Sequence, residues 1–204
     1  IRVRRETGVI DAATSTVTAT WTPTGGTGVP PWVAVYYTWR LRDEAGNEYV
    51  TERVMAEYAD NSRPWTRQET DDALIFSEGL PESAGVLVGQ ALAENRHKYL
   101  DGWGDTLPYK PRIILFHDFD TFNEWQVDSY DTSSLGYVSV GVTSDAWGGT
   151  AQVLFGSARA LAYETVLHEV EHLHQYEYLF PGRTKMTPGW FYEGDARFYE
   201  AHDH

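Results

Sequence analysis

The stretch Leu167–Leu173 carries residue types at the spacing of a catalytic metal site. It reads H-E-x-x-H, with His168, Glu169 and His172, and the apolar residues before it have helical spacing. Four residues advance a helix by one turn plus about 40°, so both imidazoles project from one face. Two imidazoles placed in this way can bind one Zn²⁺, and Glu169 beside them can take a proton from a water at the metal.

A catalytic zinc also needs a third protein ligand and one open position. The run Trp190–Ala196 reads W-x-x-E-G-x-A and supplies Glu193, with 20 residues between it and His172. The alternative is a surface helix that merely carries charged residues. Apolar residues surround the motif, which favours a buried helix, and buried His and Glu need partners. The sequence therefore predicts a metal site with His168, His172 and Glu193 as ligands and Glu169 as the general base.

The two motifs together resemble the gluzincin branch of zinc metallopeptidases, and within it the bacterial peptidase MA-like metallohydrolases. Three further segments are similar to the region that precedes the catalytic domain in that family; they are Pro30–Pro31, Tyr37–Asn47 and Asp60–Trp65. The resemblance implies zinc-dependent hydrolysis of a peptide bond in a peptide or protein substrate. By position, it makes His168, His172 and Glu193 the zinc ligands and Glu169 the base.

The resemblance also raises a difficulty at the end of the chain. Gluzincin catalytic domains continue past the third ligand into a helical lobe, which often carries a Tyr or His for the oxyanion. Here Tyr192, Tyr199 and His202 are available, but none stands at the family's position. The resemblance thus implies a lobe truncated of its helical part, or a protein that keeps zinc without efficient turnover. The second alternative is a non-catalytic extracellular structural or assembly protein, in which zinc stabilises the fold.

Composition limits the partners of this 204-residue chain. The apolar fraction of 42% is ample for a core, and the net charge is −14. Such an acidic chain lacks the basic footprint of a nucleic-acid binder or an anionic-membrane binder. No apolar run approaches the length of a membrane span. The first residue is Ile1, inside a predicted strand, so we expect sequence upstream; with the family resemblance this predicts an extracellular or cell-surface location.

Strand signals dominate the first part of an α+β chain. Residues 1–60 are predicted to form a small antiparallel β domain, immunoglobulin-like and either complete or partial. The predicted strands are 1–4, 15–21, 33–41 and 48–56, with a turn at 44–47. Its role is either attachment to a substrate or surface, or simply packing on the enzyme, and the second is favoured because no chemistry is visible in it.

Residues 61–204 are predicted to form the gluzincin-type catalytic lobe, a mixed sheet backed by helices. A polar turn at 60–70 marks the boundary, and Ala73–Ser77 is the first strand. A helix over 81–100 ends at Gly102 and Gly104, and Pro111–Phe116 is a strand buried on both faces. Further elements are a helix capped by Asp120 and reaching Val127, a hairpin of 135–143 with 150–155, and the H-E-x-x-H helix. A peptide substrate is expected to pair with the 150–155 strand.

Several other polar residues near the motifs have competing interpretations. Asp118 and Asp120 suggest calcium, but helix capping is favoured because Phe122 stands where another oxygen ligand is needed. His174 lies about 200° from His172 around the helix, so it should point away from the metal, solvated or at the core edge. His202 and His204 are taken as a frayed end. Glu171 is either a support for the ligands or a solvated carboxylate, while Asp195 and Glu200 could accept a hydrogen bond from a ligand imidazole.

Overall fold

The computed structural model describes residues 5–21, 28–125, 139–179 and 188–201. Within these ranges the chain is mixed α and β, which confirms the α+β prediction at that level. The strands are β1 (Val9–Asp11), β2 (Thr16–Thr18), β3 (Ala34–Tyr37), β4 (Arg40–Arg42), β5 (Glu48–Val50), β6 (Val54–Glu57), β7 (Trp65–Glu69), β8 (Leu74–Glu78), β9 (Arg112–Phe116), β10 (Gly141–Ser144) and β11 (Gly149–Val153). The helices are α1 (Glu82–Trp103), α2 (Phe119–Glu124), α3 (Ala158–Ala160), α4 (Leu167–His174) and α5 (Gly189–Tyr199), with π-helical turns at Leu161–Val166 and Gln175–Leu179.

A five-stranded mixed sheet organises the second part of the chain, in the order β10-β11-β9-β8-β7. β9 pairs in parallel with both β8 and β11, while β7 and β10 run antiparallel at the two sides. Every residue of β9, including Arg112, is buried, which agrees with the prediction of a strand buried on both faces at Pro111–Phe116. The hairpin of β10 and β11, followed by the motif helix, is also confirmed over the described residues. Predicted positions 135–138 lie outside the described residues.

Alternate residues along the central strands build two separate cores. Ile113 and Leu115 face α1 and the motif helix, whereas Ile114 and Phe116 face the N-terminal part of the chain. Successive side chains of a strand point to opposite faces of the sheet, so alternate residues enter different cores. On the second face, Trp32 stacks on Phe76 with ring centroids 5.2 Å apart. Residues from the first 60 positions therefore complete one core of the sheet.

The N-terminal strands form two-stranded pairs rather than one continuous small sheet. β3 pairs with β6 and β4 pairs with β5, which confirms the predicted hairpin return. At its turn Gly46 has a φ of +89°, a conformation that suits glycine, and Asp43 accepts a hydrogen bond from the backbone N–H of Asn47. β1 and β2 make a separate hairpin. The predicted strand at 1–4 lies outside the described residues.

The predicted polar turn at 60–70 is wrong, because β7 occupies much of it. β7 pairs antiparallel with β8 at the side of the sheet and is mostly exposed. An outer strand with an exposed face carries polar residues and therefore has no apolar run to identify it. β7, and not the Ala73–Ser77 run, is thus the first strand of the sheet.

Helix α1 shows the predicted buried face of Ala84, Val88, Ala91, Leu92 and Tyr99. It ends at Gly104, which has a φ of +79°. Gly102, predicted as a second stop signal, instead lies inside the helix. A Cβ at Gly102 would lie 2.1 Å from the Tyr199 hydroxyl, so the missing side chain makes room for α5.

The motif helix runs without a break over 158–179. Ser157 begins it, since its hydroxyl accepts a hydrogen bond from the Ala160 N–H at 3.1 Å. The π-helical turns lie immediately before and after α4, which holds the H-E-x-x-H residues. Such turns are frequent at functional sites.

The capping residue of α2 differs from the prediction. Asp118, and not Asp120, is the N-cap, and its carboxylate accepts from the Thr121 N–H at 2.8 Å. Helix capping was thus the right interpretation of Asp118 and Asp120, but the capping residue lies two residues before the predicted one. Val127 lies outside the described residues. Among the described helices, none is both long and apolar enough to cross a membrane.

Candidate metal centre

His168 and His172 project from the same face of α4, as their spacing predicted. Their ring centroids are 4.8 Å apart. Leu167 and Leu173 on the other faces are fully buried, which fixes the rotation of the helix about its axis. The apolar residues around the motif therefore decide where the two imidazoles point.

Glu193 on α5 completes a group of three. Its Oε2 atom lies 3.2 Å from Nε2 of His168 and 3.8 Å from Nε2 of His172. One ligand atom from each residue lies within 4.8 Å of the others, so the group could hold a metal ion. α5 begins after Pro188, whose carbonyl oxygen accepts a hydrogen bond from the Phe191 N–H at 2.9 Å.

Charge and burial set different protonation preferences for the three residues. Burial lowers the pKa of His172 to about 4. Burial acts in the same direction on His168, but the hydrogen bond to Glu193 and the nearby Glu169 and Glu200 outweigh it and raise the pKa. The hydrogen bond from His168 lowers the pKa of Glu193. At neutral pH, His172 is thus a neutral imidazole and Glu193 a carboxylate, the forms that bind metals.

The other nitrogen of each imidazole has its own partner. Nδ1 of His168 lies 2.9 Å from Glu200 Oε1, one of the two carboxylates predicted for this role. Nδ1 of His172 lies 2.9 Å from Gln175 Oε1. Asp195, the other predicted carboxylate, binds the Gln175 amide instead of an imidazole. The sequence reasoning missed Gln175, although its i+3 spacing from His172 places both on one helix face.

Tyr192 also supports His172, from the side. Its ring stacks on the imidazole with centroids 4.0 Å apart and planes 5° apart. Burial raises the pKa of Tyr192 well above its ordinary value. Tyr199 packs on Tyr99 in the core with centroids 4.9 Å apart. Tyr192 and Tyr199, two of the residues available for an oxyanion, therefore each stack on another ring, and His202 lies outside the described residues.

Glu169 lies against strand β10. The Thr143 hydroxyl is 2.5 Å from Glu169 Oε2 and donates to it. At the other oxygen the backbone comes close, because a Cβ added to Gly141 would lie 2.5 Å from Glu169 Oε1. The side chain is almost completely buried, at 8% residue exposure. The strand thus holds the carboxylate in place beside the histidines.

The predicted substrate strand is wrong in position. β11 lies between β10 and β9, so both of its sides are already paired. Every residue of β11 is also buried. On this side of the sheet, β10 is the outer strand among the described residues. It is also the strand that touches Glu169.

Glu171 and His174 on the same helix face the interior. Glu171 is fully buried and accepts hydrogen bonds from the Trp103 indole, so the solvated alternative is wrong. Burial raises the pKa of Glu171 to about 10. His174 stacks on Tyr99 at 4.5 Å, and burial lowers its pKa to about 4. His174 points away from the metal group as predicted, but it is buried and not solvated.

Comparison with protein-family models gives no match, and neither does a search of curated proteins. The functional assignment therefore rests on the residues and on the geometry described above.

Proposed function

We propose that this protein is a zinc-dependent peptide hydrolase of the gluzincin type. The observation that carries the proposal is the convergence of His168, His172 and Glu193 on one point, with ligand atoms within 4.8 Å. Glu169, the expected general base, adjoins His168 in the chain and is nearly buried.

The donor set fits zinc. Zinc takes imidazole and carboxylate ligands at about 2.0–2.2 Å, which separates neighbouring ligand atoms of a tetrahedral site by about 3.4 Å. The two measured separations from Glu193 are 3.2 and 3.8 Å. Three protein ligands leave one position open, which is the pattern of catalytic and not structural zinc sites. Bound zinc would supply Lewis-acid polarisation of a carbonyl and activation of water.

The residues of the chain supply the remaining steps. Glu169 accepts the proton of the attacking water and passes it to the leaving amine. Thr143 and Gly141 hold that carboxylate at a fixed place beside His168. An extended peptide would pair with the side of β10 that no strand of the described residues covers, because strand addition satisfies its backbone groups. This replaces the earlier expectation of pairing with β11.

The gluzincin fold of residues 61–204 and the immunoglobulin-like nature of residues 1–60 belong to the same proposal. The mixed sheet, with the motif helix following an outer hairpin, supports the first part. The antiparallel pairing of β3 with β6 and of β4 with β5 supports the second. The extracellular or cell-surface location rests on the resemblance and stays a prediction.

Zinc content and peptide hydrolysis, measured on the same samples, test the proposal. We expect one zinc per chain in wild type and in Glu169→Gln, and little in His168→Ala. A pooled library of fluorogenic peptides should be cut by wild type only. His97→Ala is the matched control, since His97 is an exposed histidine on α1 and should change neither result.

The outcomes separate the alternatives. Zinc bound without hydrolysis in any sample would favour the non-catalytic structural role. Absence of zinc from wild type would remove the central claim.

A further inference from the structure

Gln175 is fully buried, and both its amide nitrogen and its amide oxygen have hydrogen-bond partners. The amide nitrogen donates to the Tyr192 carbonyl oxygen at 3.0 Å and to Asp195 Oδ2 at 2.9 Å. The amide oxygen lies 2.9 Å from His172 Nδ1. A buried amide with all of these bonds formed has one preferred orientation, because leaving a buried polar group unpaired costs about 1–3 kcal/mol.

These partners decide which way the amide faces. A backbone carbonyl oxygen only accepts hydrogen bonds, so the side of Gln175 that faces the Tyr192 carbonyl must be the NH₂ group. The opposite side must then be the oxygen, which also only accepts. The hydrogen between Gln175 and His172 therefore belongs to Nδ1 of the imidazole.

The consequence reaches the other ring nitrogen. A neutral imidazole with its hydrogen on Nδ1 has a lone pair on Nε2. Nε2 of His172 is the atom that faces Glu193, at 3.8 Å. His168 differs, because both of its ring nitrogens face carboxylates, Nδ1 that of Glu200 and Nε2 that of Glu193.

We propose that Gln175, oriented by Asp195, is a positioning residue that holds His172 in the Nδ1–H tautomer with Nε2 free to bind the metal. Asp195 has this role because it faces the Gln175 amide and would repel its oxygen if the amide turned over. The metal part of the inference rests on the proposed function. The tautomer part concerns the metal-free chain and stands separately.

The first test is the tautomer of His172 in the metal-free chain at neutral pH. ¹⁵N NMR of the imidazole distinguishes a protonated from an unprotonated ring nitrogen. In wild type we expect the hydrogen on Nδ1. A hydrogen on Nε2 would overturn the proposal, whatever the variants do.

The second test uses Gln175→Met, which keeps the shape of the side chain and removes its acceptor. We expect Nε2–H to become populated and zinc affinity to fall about 10–100-fold, the usual effect of losing such a partner. Gln152→Met is the matched control, because Gln152 is equally buried but hydrogen bonds to Thr150 within β11. It should keep both the tautomer and the affinity.

Each remaining outcome has a meaning. An unchanged tautomer or affinity in Gln175→Met, or equal losses in both variants, would overturn the role of Gln175. If wild type binds no zinc, the proposed function fails, and the tautomer still decides this inference.

Discussion

His168 and His172 occupy equivalent places on one helix, yet their surroundings differ. A carboxylate accepts the Nδ1 hydrogen of His168, whereas a neutral amide accepts that of His172. The His168 side chain is 15% exposed and that of His172 is 7% exposed. Nearby carboxylates therefore raise the pKa of His168, while burial dominates at His172. His168 is thus the more readily protonated imidazole of the pair, and His172 is the one that stays neutral.

Asp60 allows a prediction at the residue scale that does not involve the site. Burial alone would raise its pKa, but hydrogen bonds from Ser62 and Trp65 and the charge of Arg63 outweigh this, and the pKa falls below 3.8. A carboxyl with a lowered folded-state pKa adds stability above the unfolded pKa and loses it as pH falls through the folded value. We expect Asp60→Asn to lower the free energy of unfolding at pH 7 by about 1–3 kcal/mol.

Urea unfolding at pH 7 and at pH 3 measures this effect. The difference between wild type and Asp60→Asn should shrink at pH 3, because pH 3 lies below the unfolded pKa and the stability from the lowered pKa is lost as pH falls toward the folded value. Asp101→Asn, an exposed aspartate on α1, is the control and should change little. A difference that stays equal at both pH values would show that charge is not the cause.

At the scale of elements, β10 determines the place of Glu169, the proposed general base. Gly141→Ala would put a Cβ 2.5 Å from Glu169 Oε1 and 2.8 Å from Glu169 Cγ, so the carboxylate must move. We expect peptide hydrolysis to fall by up to about 100-fold, the scale of a 1 Å misplacement. Zinc content should stay at the wild-type value, because the three ligands lie on α4 and α5.

Gly194→Ala is the control for this substitution. Gly194 lies on α5, and a Cβ there would meet nothing within 4 Å. It should keep hydrolysis and increase stability by about 0.5–1 kcal/mol, the usual difference between Gly and Ala inside a helix. Loss of zinc in Gly141→Ala would mean that β10 supports the ligands and not only the base.

The sequence predicted the parts of the site that local spacing determines. An i, i+4 pair on an apolar helix fixes the relation of His168 to His172, and the second motif supplied Glu193. Gln175, Tyr192 and the pairing of Glu200 with His168 depend on how α5 packs against α4, which spacing alone does not encode. β7 was missed for a related reason, since an exposed outer strand needs no apolar residues.

The difference between local spacing and long-range packing also explains why the wrong strand was expected to pair with the substrate. The 150–155 strand was expected to pair with a peptide substrate, but its position within the sheet depends on long-range pairing with β9. Likewise, only the contact between Gly102 and Tyr199 shows why a glycine stands inside α1.

For the whole molecule, the proposed ligand set joins two helices that are separated in the sequence. His168 and His172 lie on α4 and Glu193 lies on α5, so metal binding should stabilise their packing. With free zinc at about 100 times its dissociation constant, the folded state gains about 2.7 kcal/mol. We expect a chelator to lower the melting temperature of wild type and to increase amide hydrogen exchange most in α5.

His168→Ala gives the comparison for chelation. It should show the same melting temperature and exchange with and without chelator. An equal effect of chelator on this variant would place the metal elsewhere. Exchange that rises evenly over the sheet would show that zinc stabilises the whole fold and not the contact of α4 with α5.

The three proposed ligands differ in solvent exposure, and this has a consequence for how a metal ion bound there would exchange with solvent. The two imidazoles are held from behind by Glu200 and Gln175, whereas the Glu193 side chain is 60% exposed. An ion should therefore enter and leave along the carboxylate side, and Glu193 should be the ligand that detaches first. The residence time of the ion would then depend on its bond to Glu193. His168 and His172 would keep their orientations after the ion leaves, because Glu200 and Gln175 hold them.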